Sequence, residues 1–195
     1  MGGAPRPSPA ALIDRDGTVI RDVGYLRRVA EIELLPRAAD AIGLLRRSGL
    51  KVVIVTNQSA VARGLLTESE LAAIHRELIR RLAECGALLD GLYYCPHHPT
   101  EGWGAHRRAC GCRKPNIGLA KRAAAELDLD LTRSYVVGDQ PSDMEFAARI
   151  PAAGFLIQSA AARAAAGAGT GRFSLVEDLW EAAERIVGDM ERKES

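Results

Sequence analysis

The stretch ALIDRDGTVI, residues 11–20, begins as an apolar strand and continues with two carboxylates, Asp14 and Asp16. Ala11, Leu12 and Ile13 are typical of a buried strand, and the two acids follow where that apolar run ends. Similar apolar segments alternate with segments of helical periodicity along the chain, which predicts a parallel sheet covered by helices on both faces. Open sheets of this kind bind ligands at the carboxyl ends of their strands, so the two acids are candidate site residues.

Apolar periodicity and end signals predict the elements of this α/β fold. The predicted strands are 11–14, 51–56, 89–95, 134–139 and 153–157. The predicted helices are 36–49, 67–86, 118–129, 142–149 and about 176–190. We therefore expect one Rossmann-like domain over residues 10–195, preceded by a flexible tail at 1–9 and interrupted by a surface loop at 160–171.

Composition excludes several classes of partner. The chain has 195 residues, is 47% hydrophobic and carries a formal net charge of +1, with both signs of charge interspersed. Such a balance creates no field that favours nucleic acid or a membrane surface. The sequence shows neither an apolar run of transmembrane length nor the apolar core of a signal peptide. We therefore expect a cytoplasmic monomer that acts on a small molecule.

Polar segments lie at several other predicted strand ends. TNQS (56–59) closes the second strand, GDQPSD (138–143) closes the fourth, and CRKP (112–115) comes shortly before the fourth. Together with the acids of 14–16, these segments would bring carboxylates, a hydroxyl, a lysine and loop amides into one crevice. Neighbouring carboxylates repel unless a cation lies between them, and hard oxygen ligands suit Mg²⁺. The lysine and the amides suit phosphoryl oxygens, so the pattern predicts a Mg²⁺-dependent phosphate site.

A second constellation lies in CPHHPTEGWGAHRRACGC, residues 95–112. Cys95-x-His97 and Cys110-x-Cys112 supply four ligands of the kind that Zn²⁺ binds in closed, structural sites. His98 and His106 are competing nitrogen ligands, and free thiols in a loop are the alternative interpretation. A zinc here would order a long loop of low apolar content that leads directly into CRKP.

DRDGT, TNQS, CRKP and GDQPSD, in this order, resemble the four signature loops of the haloacid dehalogenase-like (HAD-like) phosphatases. Within that superfamily the chain resembles the D,D-heptose 1,7-bisphosphate phosphatases, whose neighbours are the histidinol-phosphate phosphatases. RDVGY (21–25) is similar to the heptose enzymes' substrate loop, and TNQSAVARG (56–64) is similar to their TNQSGIARG. The resemblance implies a HAD-like fold, and no segment before TNQS is long enough for a large cap domain.

The resemblance also implies catalytic roles. Asp14 is the expected nucleophile that forms an aspartyl phosphate, and Asp16 is the expected acid and base for the leaving group and the water. Thr56 and Lys114 are expected to hold the transferring phosphoryl group.

The resemblance assigns the metals to two ligand sets. Mg²⁺ is expected on the Asp14 carboxylate, the Asp16 backbone carbonyl and Asp139, while Asp143 orients waters or Lys114. Structural Zn²⁺ is expected on Cys95, His97, Cys110 and Cys112.

Substrate contacts are expected from the loops around the crevice. The candidate substrate-binding residues are Asp22, Gly24, Tyr25, Thr56, Asn57, Gln58, Ser59, Arg113, Lys114 and Gln140. Gln140 stands where the heptose enzymes often carry lysine, so this chain has one cation fewer at that position.

The resulting hypothesis is a phosphatase that removes the C7 phosphate of D-glycero-D-manno-heptose 1,7-bisphosphate in nucleotide-heptose synthesis, upstream of lipopolysaccharide or another glycoconjugate. The alternatives are a histidinol-phosphate phosphatase, another small phosphomonoester phosphatase or a nucleic-acid-end phosphatase, and a non-catalytic module stapled by zinc.

Five further residues are expected to have no part in the chemistry. We expect Arg15 to point away from the site, to structure or solvent. His75 is expected to be partly exposed, Cys85 to be buried on its helix, and Trp103 and Trp180 to pack.

Overall fold

The computed structural model describes residues 6–158 and 173–194, which fold into six strands and five α-helices. The strands are β1 (Ala10–Ile13), β2 (Lys51–Asn57), β3 (Gly91–Cys95), β4 (Tyr135–Gly138), β5 (Ala153–Ile157) and β6 (Phe173–Val176). The helices are α1 (Ala38–Arg47), α2 (Glu68–Glu84), α3 (Gly118–Leu127), α4 (Pro141–Arg149) and α5 (Leu179–Glu194).

The strands form one parallel sheet in the order β3-β2-β1-β4-β5-β6. The chain winds outward from β1 in one direction through β2 and β3, and then crosses to the other side of β1 to form β4. This crossing is a topological switch point, and the crevice between the ends of β1 and β4 is where such sheets bind ligands. The predicted parallel α/β fold is confirmed.

Helices cover both faces of the sheet, because alternate strand residues point to opposite sides. Ala11 and Ile13 pack in a core with α1, α2 and α5, whereas Ala10 and Leu12 pack in a second core with α3 and α4. Both faces of β1 are therefore buried, which explains why its sequence is a continuous apolar run rather than an alternating one.

Strand β6 is not predicted from the sequence. It is a four-residue edge strand in which only Val176 is buried, so the local pattern of FSLV is too weak to identify it. Its position comes from pairing with β5, where Gly154 aligns with Phe173 and Ile157 with Val176. The loop expected at 160–171 lies outside the described residues.

The tail expected at 1–9 is only partly described, since residues 1–5 lie outside the described ranges. Ser8 is not loose: its N–H donates to the Asp128 carbonyl at 2.9 Å, and its own carbonyl accepts from Asp130 N at 2.8 Å. The Pro9 carbonyl accepts from Lys51 N at 3.1 Å. Residues 8 and 9 therefore belong to the edge of the fold.

The segment between β1 and β2 contains α1 and a short 3₁₀ turn at Val29–Glu31, and it forms no separate domain. Arg21 N donates to the Glu33 carbonyl at 2.9 Å, which folds this segment back beside the end of β1. No large cap covers the carboxyl edge of the sheet within residues 6–158 and 173–194. None of the helices in the described ranges combines the length and apolarity needed to cross a bilayer.

Candidate active site

A cavity of about 290 Å³ opens at the switch point of the sheet. The backbone N–H of Asp14 donates to the Val137 carbonyl at 2.9 Å, which holds the end of β1 against β4. Thr56 is the penultimate residue of β2 and Asp139 follows β4, so three strand ends contribute side chains to the same space. The cavity is lined by Asp14, Asp16, Asp22, Gly24, Thr56, Asn57, Arg113, Lys114, Asp139, Gln140, Ser142 and Asp143.

Lys114 forms the centre of the site. Its Nζ lies 2.6 Å from Asp14 Oδ1 and 2.7 Å from Asp143 Oδ1, and it donates to the Val55 carbonyl at 2.6 Å. The three N–H bonds of the ammonium are therefore all used, and only 5% of the residue is exposed. Burial raises the pKa of Asp14, while the positive charge of Lys114 opposes that rise. The lysine thus keeps the carboxylate form of Asp14 accessible in a buried setting.

The loop that carries Lys114 is attached to β2 by a reciprocal pair of hydrogen bonds. Lys114 N donates to Asn57 Oδ1 at 3.0 Å, and Asn57 Nδ2 donates back to the Lys114 carbonyl at 3.2 Å. A side-chain amide that satisfies both backbone groups of one residue fixes the position of that residue. Asn57 therefore holds the lysine in place, in addition to lining the cavity.

Three carboxylates meet beside the lysine. Oxygens of Asp14, Asp139 and Asp143 lie within 4.8 Å of one another, and all three residues are buried. Burial raises the pKa of Asp139 to about 6, although a hydrogen bond from Gln140 Nε2 at 2.7 Å opposes the rise. Buried carboxylate oxygens at this spacing fit a small hard cation such as Mg²⁺.

Gly17 allows the backbone to approach this cluster. Its φ is +72°, and a Cβ atom there would lie 2.7 Å from Asp139 Oδ2. The turn after β1 therefore requires glycine both for its left-handed conformation and for the space that Asp139 occupies.

Asp16 lies at the cavity wall within a buried polar network. The Nε and Nη2 edge of Arg15 faces its carboxylate, with Nη2 at 2.9 Å, and Gln58 Nε2 donates to Asp16 Oδ2 at 2.8 Å. Gln58 Nε2 also donates to Thr56 Oγ1 at 2.8 Å, so the hydroxyl proton of Thr56 is directed elsewhere. Arg15 does not line the cavity and is 1% exposed, as expected for a side chain that points to structure, but it also contacts the Asp16 carboxylate from behind the cavity wall, which was not expected.

The ligand atoms of Cys95, His97, Cys110 and Cys112 converge at the end of β3. The distances among the sulfurs and His97 Nδ1 run from 3.1 to 3.6 Å. Zn–S bonds of about 2.3 Å in a tetrahedron would separate two sulfurs by about 3.8 Å, so the donor set and its size fit zinc.

The two competing histidines are engaged elsewhere. His98 Nδ1 accepts backbone hydrogen bonds from Thr100 and Glu101, and His106 Nε2 lies 3.0 Å from Glu68 Oε1. Arg113 Nη1, just beyond this cluster, donates to the His97 carbonyl at 3.2 Å and also lines the cavity. The Cys/His loop thus borders the cavity.

The predicted substrate residues divide into two groups. Asp22, Gly24, Arg113 and Gln140 line the cavity together with the strand-end residues. Gln58 instead points into the network around Asp16, and Tyr25 lies outside the lining with the Arg63 guanidinium over its ring. Ser59 is likewise absent from the residues that line the cavity. Ser142, inside the GDQPSD segment, lines the cavity and is missing from the sequence-based set.

Four expectations about residues outside the chemistry are settled by the structure. His75 is only 5% exposed, with Nε2 at 3.1 Å from Arg15 Nη1, so the expectation of a partly exposed helical residue is wrong. Cys85 caps the end of α2 and is exposed rather than buried. Trp103 is 76% exposed and does not pack, whereas Trp180 packs against the core with the Arg37 guanidinium over its ring.

Comparison with known proteins agrees with this geometry. A HAD-hydrolase-like family model matches residues 111–182. The D-glycero-β-D-manno-heptose-1,7-bisphosphate 7-phosphatase of Photorhabdus laumondii is 38% identical over 139 residues, which cover 71% of this chain and 74% of that protein. The protein of the same name from Escherichia coli strain K12 is 40% identical over 139 residues, with 71% and 73% covered.

Two solved structures share the fold closely. The D,D-heptose 1,7-bisphosphate phosphatase of B. bronchiseptica, complexed with magnesium and phosphate, superposes with a TM-score of 0.80 at 34% identity. That match covers 92% of this chain and 99% of the other. A putative HAD-like phosphatase from Mesorhizobium loti gives a TM-score of 0.82 at 33% identity, covering 98% and 91%. The chain belongs to the D-glycero-β-D-manno-heptose-1,7-bisphosphate 7-phosphatase family of HAD-like hydrolases.

Proposed function

We propose that this protein is a Mg²⁺-dependent phosphatase that removes the C7 phosphate of D-glycero-D-manno-heptose 1,7-bisphosphate through an aspartyl-phosphate intermediate. The observation that carries the proposal is the buried Lys114 ammonium, which joins Asp14 and Asp143 at the floor of an open cavity. A carboxylate held by a cation, beside further acids and a hydroxyl, suits nucleophilic attack on phosphorus.

In the first step the Asp14 carboxylate attacks phosphorus, an Asp14 O–P bond forms, and the bond from phosphorus to the sugar oxygen breaks. Thr56 supplies a donor to the phosphoryl oxygens, since its Oγ1 already accepts from Gln58 and has its own proton to give. Lys114 supplies a second donor once a phosphoryl oxygen replaces one of the two carboxylates that its ammonium contacts. The leaving alkoxide is a poor leaving group, so it takes a proton from Asp16 as the bond breaks.

In the second step a water attacks the phosphorus of the aspartyl phosphate. Asp16, now a carboxylate, accepts one proton of that water, phosphate is released, and Asp14 is restored. Arg15 and Gln58 hold the Asp16 side chain at the cavity wall during both steps.

The residues that would hold Mg²⁺ are Asp14, Asp139 and the backbone carbonyl of Asp16, with Asp143 orienting Lys114. The ion would supply positive charge to the carboxylates and the phosphoryl oxygens. Zn²⁺ on the four Cys/His ligands would be structural, and would order the loop that leads to Arg113 and Lys114.

The substrate is proposed from the relatives' names together with the rim of the cavity. Arg113 offers a cation to a second phosphate or to sugar hydroxyls, and Asp22 offers an acceptor to hydroxyls. Gln140 donates to Asp139 and adds no charge, so the rim is less cationic than one with lysine there. We further propose that the enzyme acts as a cytoplasmic monomer, which gel filtration and cell fractionation would check.

Phosphate release from several substrates tests the proposal. The purified protein with Mg²⁺ should prefer α- or β-heptose 1,7-bisphosphate over histidinol phosphate and a 3′-phosphorylated oligonucleotide by kcat/KM. A preference for histidinol phosphate would support the neighbouring family instead. Inactivity toward all four, with both metals bound, would favour a non-catalytic module.

A further inference from the structure

We propose that His75 is a positioning residue, which orients Arg15 and thereby sets the position of the Asp16 carboxylate for proton transfer. The inference rests on the proposed function, in which Asp16 is the acid and base. It extends that function to a side chain on α2 that lies behind the cavity wall and lines no part of the cavity.

Each edge of the Arg15 guanidinium has a defined partner. The Nε and Nη2 edge faces Asp16, and the second proton of Nη2 goes to Gln58 Oε1 at 2.8 Å. Within the described part of the chain, the partner of Nη1 is His75 Nε2 at 3.1 Å. A planar guanidinium that is hydrogen-bonded at both edges is held in one orientation. The hydrogen bond to His75 at one edge therefore sets the orientation of the other edge toward Asp16.

The hydrogen bond from Arg15 fixes the protonation state and the tautomer of His75. A guanidinium only donates, so Nε2 must accept and the imidazole must be neutral with its proton on Nδ1. Burial, together with the Arg15 charge, lowers the pKa of His75 to about 3, in agreement with a neutral ring. His75 is thus a fixed acceptor at neutral pH.

The ring itself is held in place from the other side. The Tyr94 ring packs against it at a centroid distance of 5.2 Å and an angle of 59°. Tyr94 OH in turn donates to Glu68 Oε2 at 2.7 Å on the first turn of α2. The imidazole is therefore packed as well as hydrogen-bonded, as a residue that positions another side chain should be.

A buried hydrogen bond could also serve stability alone, and the two roles predict different kinetics. A loss of Asp16 alignment slows proton transfer to a poor leaving group, but it matters little when the leaving group needs no proton. A loss of stability lowers the fraction of folded enzyme and affects every substrate equally. Leaving-group dependence therefore separates positioning from stability.

Two variants of His75 and one control apply this logic. His75→Phe keeps a ring against Tyr94 but removes the acceptor, and His75→Gln places an oxygen near the position of Nε2. Leu78→Ala, one turn further along the same buried face of α2, destabilises the helix without changing the Arg15 hydrogen bonds.

We expect His75→Phe to lower kcat for the alkyl phosphate of the sugar by about tenfold, with KM unchanged and less than about a twofold loss for p-nitrophenyl phosphate. His75→Gln should recover most of that loss. When combined with Asp16→Asn, His75→Phe should cost nothing further, since the residue it positions is already disabled. Leu78→Ala should show no difference between the two substrates.

Equal losses on both substrates, or full additivity with Asp16→Asn, would overturn the inference while leaving the phosphatase proposal intact. A parent protein that hydrolyses no phosphate ester would overturn the phosphatase proposal instead. Crystal structures of the parent and of His75→Phe would then decide the positioning claim. A displaced Arg15–Asp16 pair in the variant supports it, and an unchanged pair refutes it.

Discussion

The ammonium of Lys114 lies 2.6 Å from the carboxylate of Asp14, although the two residues are separated by 100 positions in the chain. Both side chains are almost fully buried. A buried carboxylate without a cation would take up a proton and lose its power to attack phosphorus. The Lys114 charge therefore favours the charged form of the proposed nucleophile, although burial still raises the pKa of Asp14 to about 7.

Asp14→Asn tests the nucleophile. The amide keeps the size of the side chain but removes the attacking charge and one ligand of the proposed Mg²⁺. Turnover should fall by about a thousandfold or more, and acid-quenched enzyme should carry no phosphoryl group. Circular dichroism would check that the fold is kept, and near-normal turnover in a folded variant would contradict the assignment.

Asp16→Asn tests the acid and base. The backbone carbonyl remains available to metal, but the side chain can no longer transfer a proton. Turnover of the sugar phosphate should drop by about a hundredfold or more, and that of p-nitrophenyl phosphate should drop less. Stopped-flow and steady-state assays on both substrates provide the measurement. Equal losses would mean that Asp16 has a different role.

Metal removal should distinguish the two proposed metals. Brief EDTA treatment should abolish activity by removing Mg²⁺ from the open cavity, and added Mg²⁺ should restore it. Zinc enclosed by thiolates should survive that treatment and appear at about one ion per chain by elemental analysis. Active protein that contains no zinc would contradict the second assignment.

Cys110→Ser tests what the zinc does. The variant should lose zinc, and the loop leading to Arg113 and Lys114 should lose its order, so turnover should fall even in excess Mg²⁺. Cys85→Ser is the matched control, because Cys85 is exposed at the end of α2 and lies apart from the four-ligand cluster. The control should keep both zinc and activity.

The buried His75 should make stability depend on pH. Its pKa of about 3 in the folded protein lies below the value of about 6.5 in the unfolded chain. Between these values the unfolded chain binds the additional proton, so stability is complete above about pH 6.5 and falls as the pH decreases toward 3, by up to about 1.4 kcal/mol per pH unit. Thermal unfolding at pH 7.5 and pH 5 should show a smaller difference for His75→Gln than for the parent. Identical differences would mean that His75 titrates normally.

The sequence predicts some features of the site because they are local. Apolar runs and helical periodicity identify five of the six described strands, and the acids at positions 14 and 16 mark the end of β1. The Cys-x-His and Cys-x-Cys spacings, with the family resemblance that selects His97, predict four candidate ligands that the structure brings together. Patterns of this kind are carried by neighbouring residues, so they can be interpreted without knowledge of the fold.

The tertiary structure decided what depends on distant segments. The sheet order places β4 beside β1, and this brings Asp139 beside Gly17. Asn57 holds the Lys114 loop at the end of β2, which pairs with the other side of β1, and this brings Lys114 against Asp14. Strand β6 forms because its residues pair with β5.

Arg15 shows most clearly what could not be predicted from the sequence alone. From the sequence, Arg15 lies between two acids and is expected to point away from the site, which does not predict its contact with Asp16. The packing of α2 against the sheet supplies the His75 acceptor, and this acceptor turns the guanidinium inward toward Asp16. The sequence alone determined which chemical groups lie at the strand ends. The sheet order and the helix packing determined which of these groups pair with one another. The reason is that a buried charged group must form its hydrogen bonds with the groups that the tertiary structure places beside it.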